Sequence, residues 1–454
     1  MSNNKELPLV GPPIRTFFYY AIPSLIGLLA ISTTSVIDGL FIGHILGANA
    51  LAAVNFLIPY LTLMFAFALM IAIGGSVIAG KCLGEKDSAG ASATFTQSML
   101  AIIVIAILMA SLSYFFESQL FRLLGAPEVL HITMSRYYQV ISFCLIIQLS
   151  NLVLYYFIRL DGNPVLGTQG LIIGAMTNIS LDGLFIGYLG WGIESAAWAT
   201  TIAQAIQCLY LSRFFKQPNR RLRVTLYGLS LQALARSLYN GCSEFINELS
   251  VGIVIFTIHW LIVRQSGEQG IAGFAIANYL LFVGMMIYYG FIDSLHILIS
   301  QNVGAGKIHR VHSFMAVATI TIGLVCIGLA SIALYASNII TGIFLDNPSS
   351  QAGLQAKQYL NYLWPCFLFS GFNVLLSAYF TAMQQPIPSA CISLLRGLIL
   401  PITLLLLFSA LNNDLHFLYA LPLAEATTLF VAVALYIKHL KQLRSKPIDA
   451  PCLY

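Results

Sequence analysis

Long apolar segments alternate with short polar connections along the whole of this 454-residue chain. The apolar segments are about 20 to 30 residues long, enough for a helix to cross a hydrocarbon core of about 30 Å. The ten-residue alternation of an outer-membrane barrel is missing, so the pattern predicts helical spans. Twelve helices are predicted, at roughly 16–45, 51–79, 93–116, 132–158, 164–189, 192–215, 229–263, 271–303, 312–340, 355–383, 386–410 and 415–440.

The composition agrees with an all-α integral membrane protein. Hydrophobic residues make up 58% of the chain and charged residues 9%, whereas soluble domains carry about 25% charged residues. The polar N-terminus runs into the first apolar segment without a small-residue cleavage site, so we expect this helix to be retained. Neither HExxH nor GxSxG occurs, which argues against an intramembrane hydrolase of those types.

The longest polar connection, "KQPNRRLRVTLYG", lies in the middle of the chain and divides the predicted helices six and six. We therefore predict two lobes joined by a linker. The predicted segments are an N-terminal segment at 1–15, an N-lobe at 16–215, the linker at 216–228, a C-lobe at 229–440 and a C-terminal segment at 441–454.

Basic residues predict the orientation in the membrane. An even number of spans places both termini on one side, and eighteen of the 22 Lys and Arg residues then fall on that side. Both termini are therefore predicted to be cytoplasmic, in a prokaryotic cytoplasmic (inner) membrane. The net charge of +5 is explained by this topology and gives no reason to expect a nucleic-acid partner. The eighteen are Lys5, Arg15, Lys81, Lys86, Arg159, Arg213, Lys216, Arg220, Arg221, Arg223, Arg236, Lys307, Arg310, Arg396, Lys438, Lys441, Arg444 and Lys446.

The two halves repeat weakly. A shift of 220 residues without a gap sets Gly47 on Gly267, Ala52 on Ala272 and Gly84 on Gly304. Since this shift covers six helices, matching helices would run in the same direction. The repeat predicts lobes related by a pseudo-two-fold axis along the membrane normal.

The motif "DGLFIG" occurs twice, and each copy carries an aspartate into an apolar segment. Asp38 lies about 34 Å of helix beyond Arg15, and Asp182 about 27 Å beyond Pro164, which puts both in the outer half of the N-lobe. An ionisable residue near the bilayer centre costs about 2.5–3.5 kcal/mol and needs a reason. Asn178 lies one turn before Asp182 on the same helix face.

Each copy of the motif also contains GxxxG, which allows a neighbouring helix to approach closely. Two carboxylates in one dry compartment cannot both ionise easily, so one is expected to hold a proton. The same oxygens could instead bind Na⁺. The alternative is that each aspartate only stabilises a local kink.

Further ionisable residues lie in the predicted C-lobe helices. Glu244 and Glu248 share a helix face, as do Asp293 and His296, and Glu425 lies in the last helix. These groups could bind amphipathic organic cations through charge and cation–π contact. Structural pairing, as between Asp293 and His296, is the alternative.

These residues resemble the multidrug and toxic compound extrusion (MATE) family, and in particular its MepA-like branch within the DinF-like grouping. The resemblance covers roughly residues 10–445. It is carried by Pro23 and Asp38 on the first helix, Asn178 and Asp182 on the fifth, "RLDGNP" at 159–164, "GCSEFINELS" at 241–250 and "YYGFIDSLHILISQNVGAGK" at 288–307.

The resemblance implies two six-helix lobes that export drugs in exchange for H⁺ or Na⁺. It makes Asp38, Asn178 and Asp182 the coupling-ion site, with Tyr137 and Thr200 beside them, and marks Pro23 as the position where the first helix bends. NorM-like members carry an acid on the tenth helix, but 366–383 has none here. A second cation site of that kind is therefore not expected, and the C-lobe acids are assigned to substrate contact.

The hypothesis is a monomeric secondary antiporter that exports amphipathic, often cationic compounds, with H⁺ favoured over Na⁺ and with no cofactor or tightly bound metal. The alternative is a lipid-linked precursor flippase of similar architecture, which would be expected to line its cavity with basic residues. A channel or receptor is a further alternative, but alternating access explains a two-lobe repeat better.

Overall fold

The computed structural model describes residues 5–344, 350–411 and 417–445. Residues 1–4 and 446–454 of the predicted terminal segments, including Lys446, lie outside the described residues. So do residues 415 and 416, with which the last predicted helix begins.

The first half of the described chain forms eight helices separated by short connections. They are α1 (Leu7–Val10), α2 (Pro13–Phe41), α3 (Ala48–Gly84), α4 (Ser88–Phe115), α5 (Glu117–Leu123), α6 (Glu128–Leu160), α7 (Pro164–Asp182) and α8 (Glu194–Leu211).

The described part of the second half also consists of helices. They are α9 (Leu231–Gly267), α10 (Gly270–Gly304), α11 (Ile308–Tyr335), α12 (Ser337–Phe344), α13 (Gln351–Leu363), α14 (Cys366–Ala382), α15 (Pro386–Ala410) and α16 (Ala420–Ser445).

All twelve predicted helices have an observed counterpart, so the prediction of an all-α membrane protein is confirmed. Within the described ranges, ten helices are long and apolar enough to cross a bilayer, and eleven if α13 and α14 form one bent span. The sixth predicted helix corresponds to α8, which has only 18 residues and is not among these spans. Glutamines and threonines on one side of α8 lower its hydropathy.

The structure differs from the prediction in two respects. The tenth predicted helix, 355–383, is two helices, α13 and α14, which meet at an angle of 52°. Pro365 lies in the break, where its ring prevents a continuous helix. The short helices α1, α5 and α12 were not predicted, because each has fewer than nine residues and falls in a connection or at the end of a span.

The described chain divides into two compact units. Unit 1 comprises the described residues of Met1–Leu249, Tyr289–Val317 and Thr381–Gln384. Unit 2 comprises those of Ser250–Tyr288, Ala318–Phe380 and Gln385–Tyr454. In unit 1, α6 is the central helix and contacts α3, α4, α7 and α8. In unit 2, the core is built by Ile258, Phe274, Tyr359, Leu363 and Leu418 among others.

The backbone repeats at the 220-residue spacing that the sequence indicated. Gly47, before α3, and Gly267, before α10, both have positive φ angles, of 90° and 61°. Lys86 and Gly306, also 220 residues apart, follow the same two helices with φ angles of 66° and 68°. Positive φ is costly for residues other than glycine. Equivalent helices are therefore ended by equivalent turns, although few side chains match.

Glycines let the equivalent helices α3 and α10 pack backbone to backbone within unit 1. A Cβ on Gly84 would clash with the carbonyl of Gln301, and a Cβ on Gly304 would clash with that of Lys81. A Cβ on Gly80 would clash with the side chain of Ser300. The contact between α3 and α10 is pseudo-symmetric, because its residues match in pairs that are 220 positions apart: 80 and 300, 81 and 301, and 84 and 304. It explains why Gly84 and Gly304 are aligned in the internal repeat.

We predict that Gly84→Ala lowers the thermal stability of the purified protein. The new methyl group would press on backbone, which cannot move aside as a side chain can, and overpacking of this kind costs about 1–3 kcal/mol. The measurement is the apparent Tm in detergent. Gly328→Ala in α11 is the control, because its Cβ would meet open space and alanine favours helix. Equal Tm values for the two variants would contradict the packing argument.

Candidate functional site

The two DGLFIG aspartates come together in unit 1. The carboxyl groups of Asp38, on α2, and Asp182, at the end of α7, lie next to each other, close enough to interact directly. Asp182 is fully buried, and Asp38 is partly buried with its Oδ1 enclosed. Residues 144 positions apart therefore form one acid pair, as the repeated motif indicated.

A turn of π-helix follows each aspartate, at Ile42–Leu46 and at Gly183–Tyr188. The two turns contact each other. The ring of Phe41 lies over Gly183 and Gly187, where an added Cβ would be in van der Waals contact with the ring. The phenylalanine of the first DGLFIG motif therefore packs against the two glycines of the second. π-Helical turns inside α-helices are frequent at functional sites.

A cavity of about 240 Å³ lies beside the acid pair. Asp38, Tyr137, Asn178 and Thr200 line it, together with hydroxyl groups of the α2 turn before Asp38. The amide of Asn178 donates a hydrogen bond to Thr200 Oγ1 at 3.2 Å. The four positions carried over from the family resemblance thus share one polar compartment with Asp182 behind it.

The acid pair is incompletely satisfied. Among the described residues, neither oxygen of Asp182 nor Oδ1 of Asp38 has a hydrogen-bond donor. Buried carboxylate oxygens normally have partners, because desolvation without one is costly. A proton shared by the two groups would turn their repulsion into a hydrogen bond, and a hard cation could be bound by the same oxygens. No cluster of three His, Cys, Asp or Glu residues suited to a metal ion occurs in the described residues.

Three glutamines that line the same cavity were missed by the sequence reasoning. Gln204 and Gln207 follow Thr200 on α8, and Gln148 projects from α6. Asn151 fixes Gln204 through hydrogen bonds of 2.9 and 3.0 Å to its backbone and side-chain oxygens. The spacing of positions 200, 204 and 207 places them on one helix face, and this signal could have found two of the three.

Pro23 lies on α2 between two tertiary hydrogen bonds. Thr168 of α7 donates to the carbonyl oxygen of Pro23 at 2.8 Å. The neighbouring Ser24 donates to Asp293 Oδ2 at 3.1 Å. The predicted hinge is therefore tied both to the helix that carries Asp182 and to a second buried cluster.

This second cluster is centred on an ion pair between Arg159 of α6 and Asp293 of α10. The arginine is 0% exposed and the aspartate 6%. His296 Nδ1 lies 3.4 Å from Asp293 Oδ1, and the guanidinium lies 5.0 Å from the ring centre of Tyr155 and 5.7 Å from that of Tyr156. In this conformation Asp293 and His296 are enclosed in a structural cluster, which is the alternative to substrate contact weighed from the sequence.

Glu425 is held in a comparable cluster in unit 2. Its carboxylate accepts hydrogen bonds from Asn373 at 2.6 Å and from Arg396 at 3.3 Å. Asn373 lies on α14, the helix on which no acid was found. Glu244 and Glu248, in contrast, are only partly buried and lie close enough to interact electrostatically. Their assignment to substrate contact stays a prediction.

Arg159 and Arg396, which were counted among the basic residues of the terminal side, do not lie in exposed connections. Both are buried and paired with acids inside helical segments. Arg159 directly follows the fourth predicted helix and Arg396 lies inside the eleventh, and the sequence does not show which acid each of them meets. Removing them from the count leaves sixteen basic residues against four, so the expected orientation does not change.

Comparison with known proteins gives one family. The family model MatE matches residues 23–184 and again residues 246–406. The multidrug export protein MepA of Staphylococcus haemolyticus is 22% identical over 422 residues, covering 92% of each chain. MepA of Staphylococcus aureus is 21% identical over 427 residues, covering 93% of each.

Solved structures share the fold. The outward-facing structure of a multidrug resistance MATE family transporter matches 98% of this chain and 100% of its own, with a TM-score of 0.91 and 19% identity. A MOP superfamily transporter from Pyrococcus furiosus, described as having a binding pocket of reversed polarity, matches with the same coverage, a TM-score of 0.90 and 19% identity. These matches confirm the predicted fold class of twelve helices in two lobes.

We predict that Asp293→Asn destabilises the protein strongly. Removing one partner of a buried ion pair leaves an uncompensated charge, at a cost of about 3–5 kcal/mol. The double variant Arg159→Met/Asp293→Leu should recover most of the loss, because it leaves neither charge unpaired.

The measurement is the thermal denaturation of the wild type, of Asp293→Asn and of the double variant. The control is Glu85→Gln, which removes an exposed pair with Lys81 at 3.9 Å and should cost at most about 1 kcal/mol. A wild-type Tm for Asp293→Asn would show that the pair is not needed for folding.

Proposed function

The chain belongs to the MatE family, and on this basis we propose that it is a cation-coupled multidrug antiporter. It exports amphipathic, often cationic organic compounds by alternating access and is not an enzyme. The relatives whose names state multidrug export match over 92–93% of both chains, which supports the same activity here.

The observation that carries the proposal is the acid pair beside its cavity. Asp38 lines the cavity, and Asp182 lies next to it, behind the cavity wall. An unsatisfied buried acid pair is expensive to maintain in a membrane protein. The presence of this pair is explained if it binds and releases a small cation during each transport cycle.

We propose H⁺ as the coupling ion. A single proton shared by two adjacent carboxyl groups satisfies both of them, and unlike a bound Na⁺ it needs no further oxygen ligands from the cavity wall. Protonation of the pair changes the charge next to α2, whose Pro23 is bonded to α7 through Thr168. Repacking of α2 around Pro23 would then link uptake of the proton to the change of access.

On the substrate side, Glu244 and Glu248 are the proposed contacts for a cationic compound. They are partly exposed and electrostatically coupled. Asp293, His296 and Glu425 would join them only in a conformation that opens their present clusters.

The proposed setting is the bacterial cytoplasmic membrane, with both termini in the cytoplasm and the protein acting as a monomer. The proposed lobes are residues 16–215 and 229–440, joined by the linker at 216–228. The excess of basic residues on the terminal side supports this topology.

The driving force is sufficient without ATP. One proton moving inward releases about 2.3 kcal/mol per 100 mV of membrane potential and about 1.4 kcal/mol per pH unit. When the exported substrate is neutral, both the membrane potential and the pH gradient drive its export. One-for-one exchange for a monovalent cation cancels the electrical contribution, so only the pH gradient then drives export.

A lipid-linked precursor flippase is the rival function. It would need basic side chains free to hold a diphosphate. Arg159 and Arg396, the two buried arginines of the described helices, are both neutralised by acids, which favours drug export over this rival.

We predict that Asp38→Asn abolishes ethidium efflux from whole cells while the protein is still produced, since asparagine cannot take up and release the coupling proton. The control is Glu85→Gln, which removes an exposed acid away from the cavity and should leave efflux unchanged. Adding an uncoupler should stop efflux by the wild type. Full activity of Asp38→Asn would rule out its coupling role.

We predict that an imposed pH gradient drives transport in proteoliposomes without Na⁺, and that a Na⁺ gradient at equal pH does not, because the acid pair is proposed to share a proton. The measurement is ethidium movement across vesicles with each gradient imposed alone. If only the Na⁺ gradient drives transport, the coupling ion proposed for this site would be Na⁺ and not H⁺. Transport with neither gradient would exclude antiport.

A further inference from the structure

The linker between the predicted lobes is attached along the first turns of α4. The backbone N–H groups of Arg223 and Thr225 donate to the hydroxyl oxygens of Ser92 and Thr96, each at 3.0 Å. Positions two apart in the linker thus meet positions four apart on the helix. This register indicates an extended segment lying against α4, held by side-chain hydroxyl groups.

The linker and the N-terminal end of α4 enclose a basic cavity, which we call the linker cavity. Its volume is about 450 Å³, and it is lined by Ser88, Ser92, Arg220, Arg221, Arg223 and Tyr227 among others. A larger cavity of about 810 Å³ shares Ser88 and Arg221 with it and adds three lysines, Lys5, Lys86 and Lys307, against one acid, Glu6. This end of unit 1 therefore concentrates positive charge.

Two of the three arginines in the linker cavity are available to a ligand. Arg221 is engaged with Asp161 at 3.4 Å and with the carbonyl oxygen of Leu160 at 3.0 Å. No acid of the described residues forms an ion pair with Arg220 or Arg223. Arg220 rests on the ring of Phe215 at 5.7 Å, which leaves its planar guanidinium edge free for hydrogen bonding.

The position of the linker cavity corresponds to the membrane interface. Thr96 is buried under the linker, and the next residues on its helix face, Leu100 and Val104, are 43% and 51% exposed. Exposed leucine and valine on an apolar helix mark the surface that faces lipid chains. The linker therefore lies where this surface begins, at the end of α4 that the positive-inside rule assigns to the cytoplasm.

The linker itself exposes apolar side chains beside its arginines. Val224 is 61% exposed, Leu226 77% and Tyr227 89%. Tyrosine next to aliphatic and basic side chains is typical of segments at the level of lipid headgroups. The cytoplasmic leaflet carries anionic lipids that attract such segments.

We propose that the linker cavity binds the phosphate of an anionic phospholipid from the cytoplasmic leaflet. Arg220 and Arg223 bind the phosphate oxygens, Ser88 adds a hydrogen bond, and Leu226 and Tyr227 contact the upper acyl chain. A bound lipid would fix the linker on α4.

The test is lipid binding to the purified full-length protein, measured by native mass spectrometry with phosphatidylglycerol and with phosphatidylcholine. The wild type should bind phosphatidylglycerol more tightly. Arg220→Gln/Arg223→Gln should weaken this binding about 25-fold, since each basic side chain near a membrane surface contributes about a fivefold factor. Both arginines are at least partly exposed, and an unchanged Tm would show that the variant is folded.

The matched control is Arg213→Gln/Arg236→Gln, which removes two exposed charges from the same predicted side without touching the linker cavity. It should weaken binding less than about threefold by loss of general attraction. Equal weakening by the two double variants, or equal binding of the two lipids, would overturn the proposal. Full displacement of phosphatidylglycerol by millimolar glycerol 1-phosphate would also overturn it and identify a site for a soluble phosphate.

Discussion

A charge placed inside the helices of this chain has to be met by another polar group of the same chain, because neither lipid nor a packed interior can solvate it. Two clusters satisfy this constraint. Arg159 pairs with Asp293 in unit 1, and Arg396 pairs with Glu425 in unit 2. The pair of Asp38 and Asp182 does not satisfy it, since both partners are acids. Because this acid pair lacks a neutralising partner, it points to a functional site.

The satisfied and unsatisfied clusters of unit 1 are connected through α2. Asp38 lies near the end of α2, and Ser24, which bonds Asp293, lies fourteen residues earlier, next to Pro23. Thr168 ties the same point of α2 to α7, at whose end Asp182 lies. A change of charge at the acid pair would therefore act on a helix that is also bonded to a buried ion pair through Ser24, which gives the proposed coupling a physical route.

The two halves of the internal repeat form equivalent helices and turns although few of their residues are identical. What recurs is backbone geometry: positive φ at Gly47 and Gly267, the same at Lys86 and Gly306, and reciprocal close contacts at Gly84 and Gly304. These positions tolerate few substitutions, because a side chain there meets backbone or requires a costly conformation. Lipid-facing positions need only be apolar, and their sequences can diverge.

The sequence predicted the spanning helices, because segment length and hydropathy are local properties that can be matched to the thickness of a bilayer. It also indicated that the DGLFIG aspartates belong together, since a repeated buried acid is rarely without purpose. It could not determine pairing partners. Whether Arg159 faced water or Asp293, and whether Glu425 met Arg396, depended on contacts between residues 134 and 29 positions apart. These two pairings became visible only in the folded chain, because packing, and not position along the sequence, brings a neutralising side chain next to a buried charge.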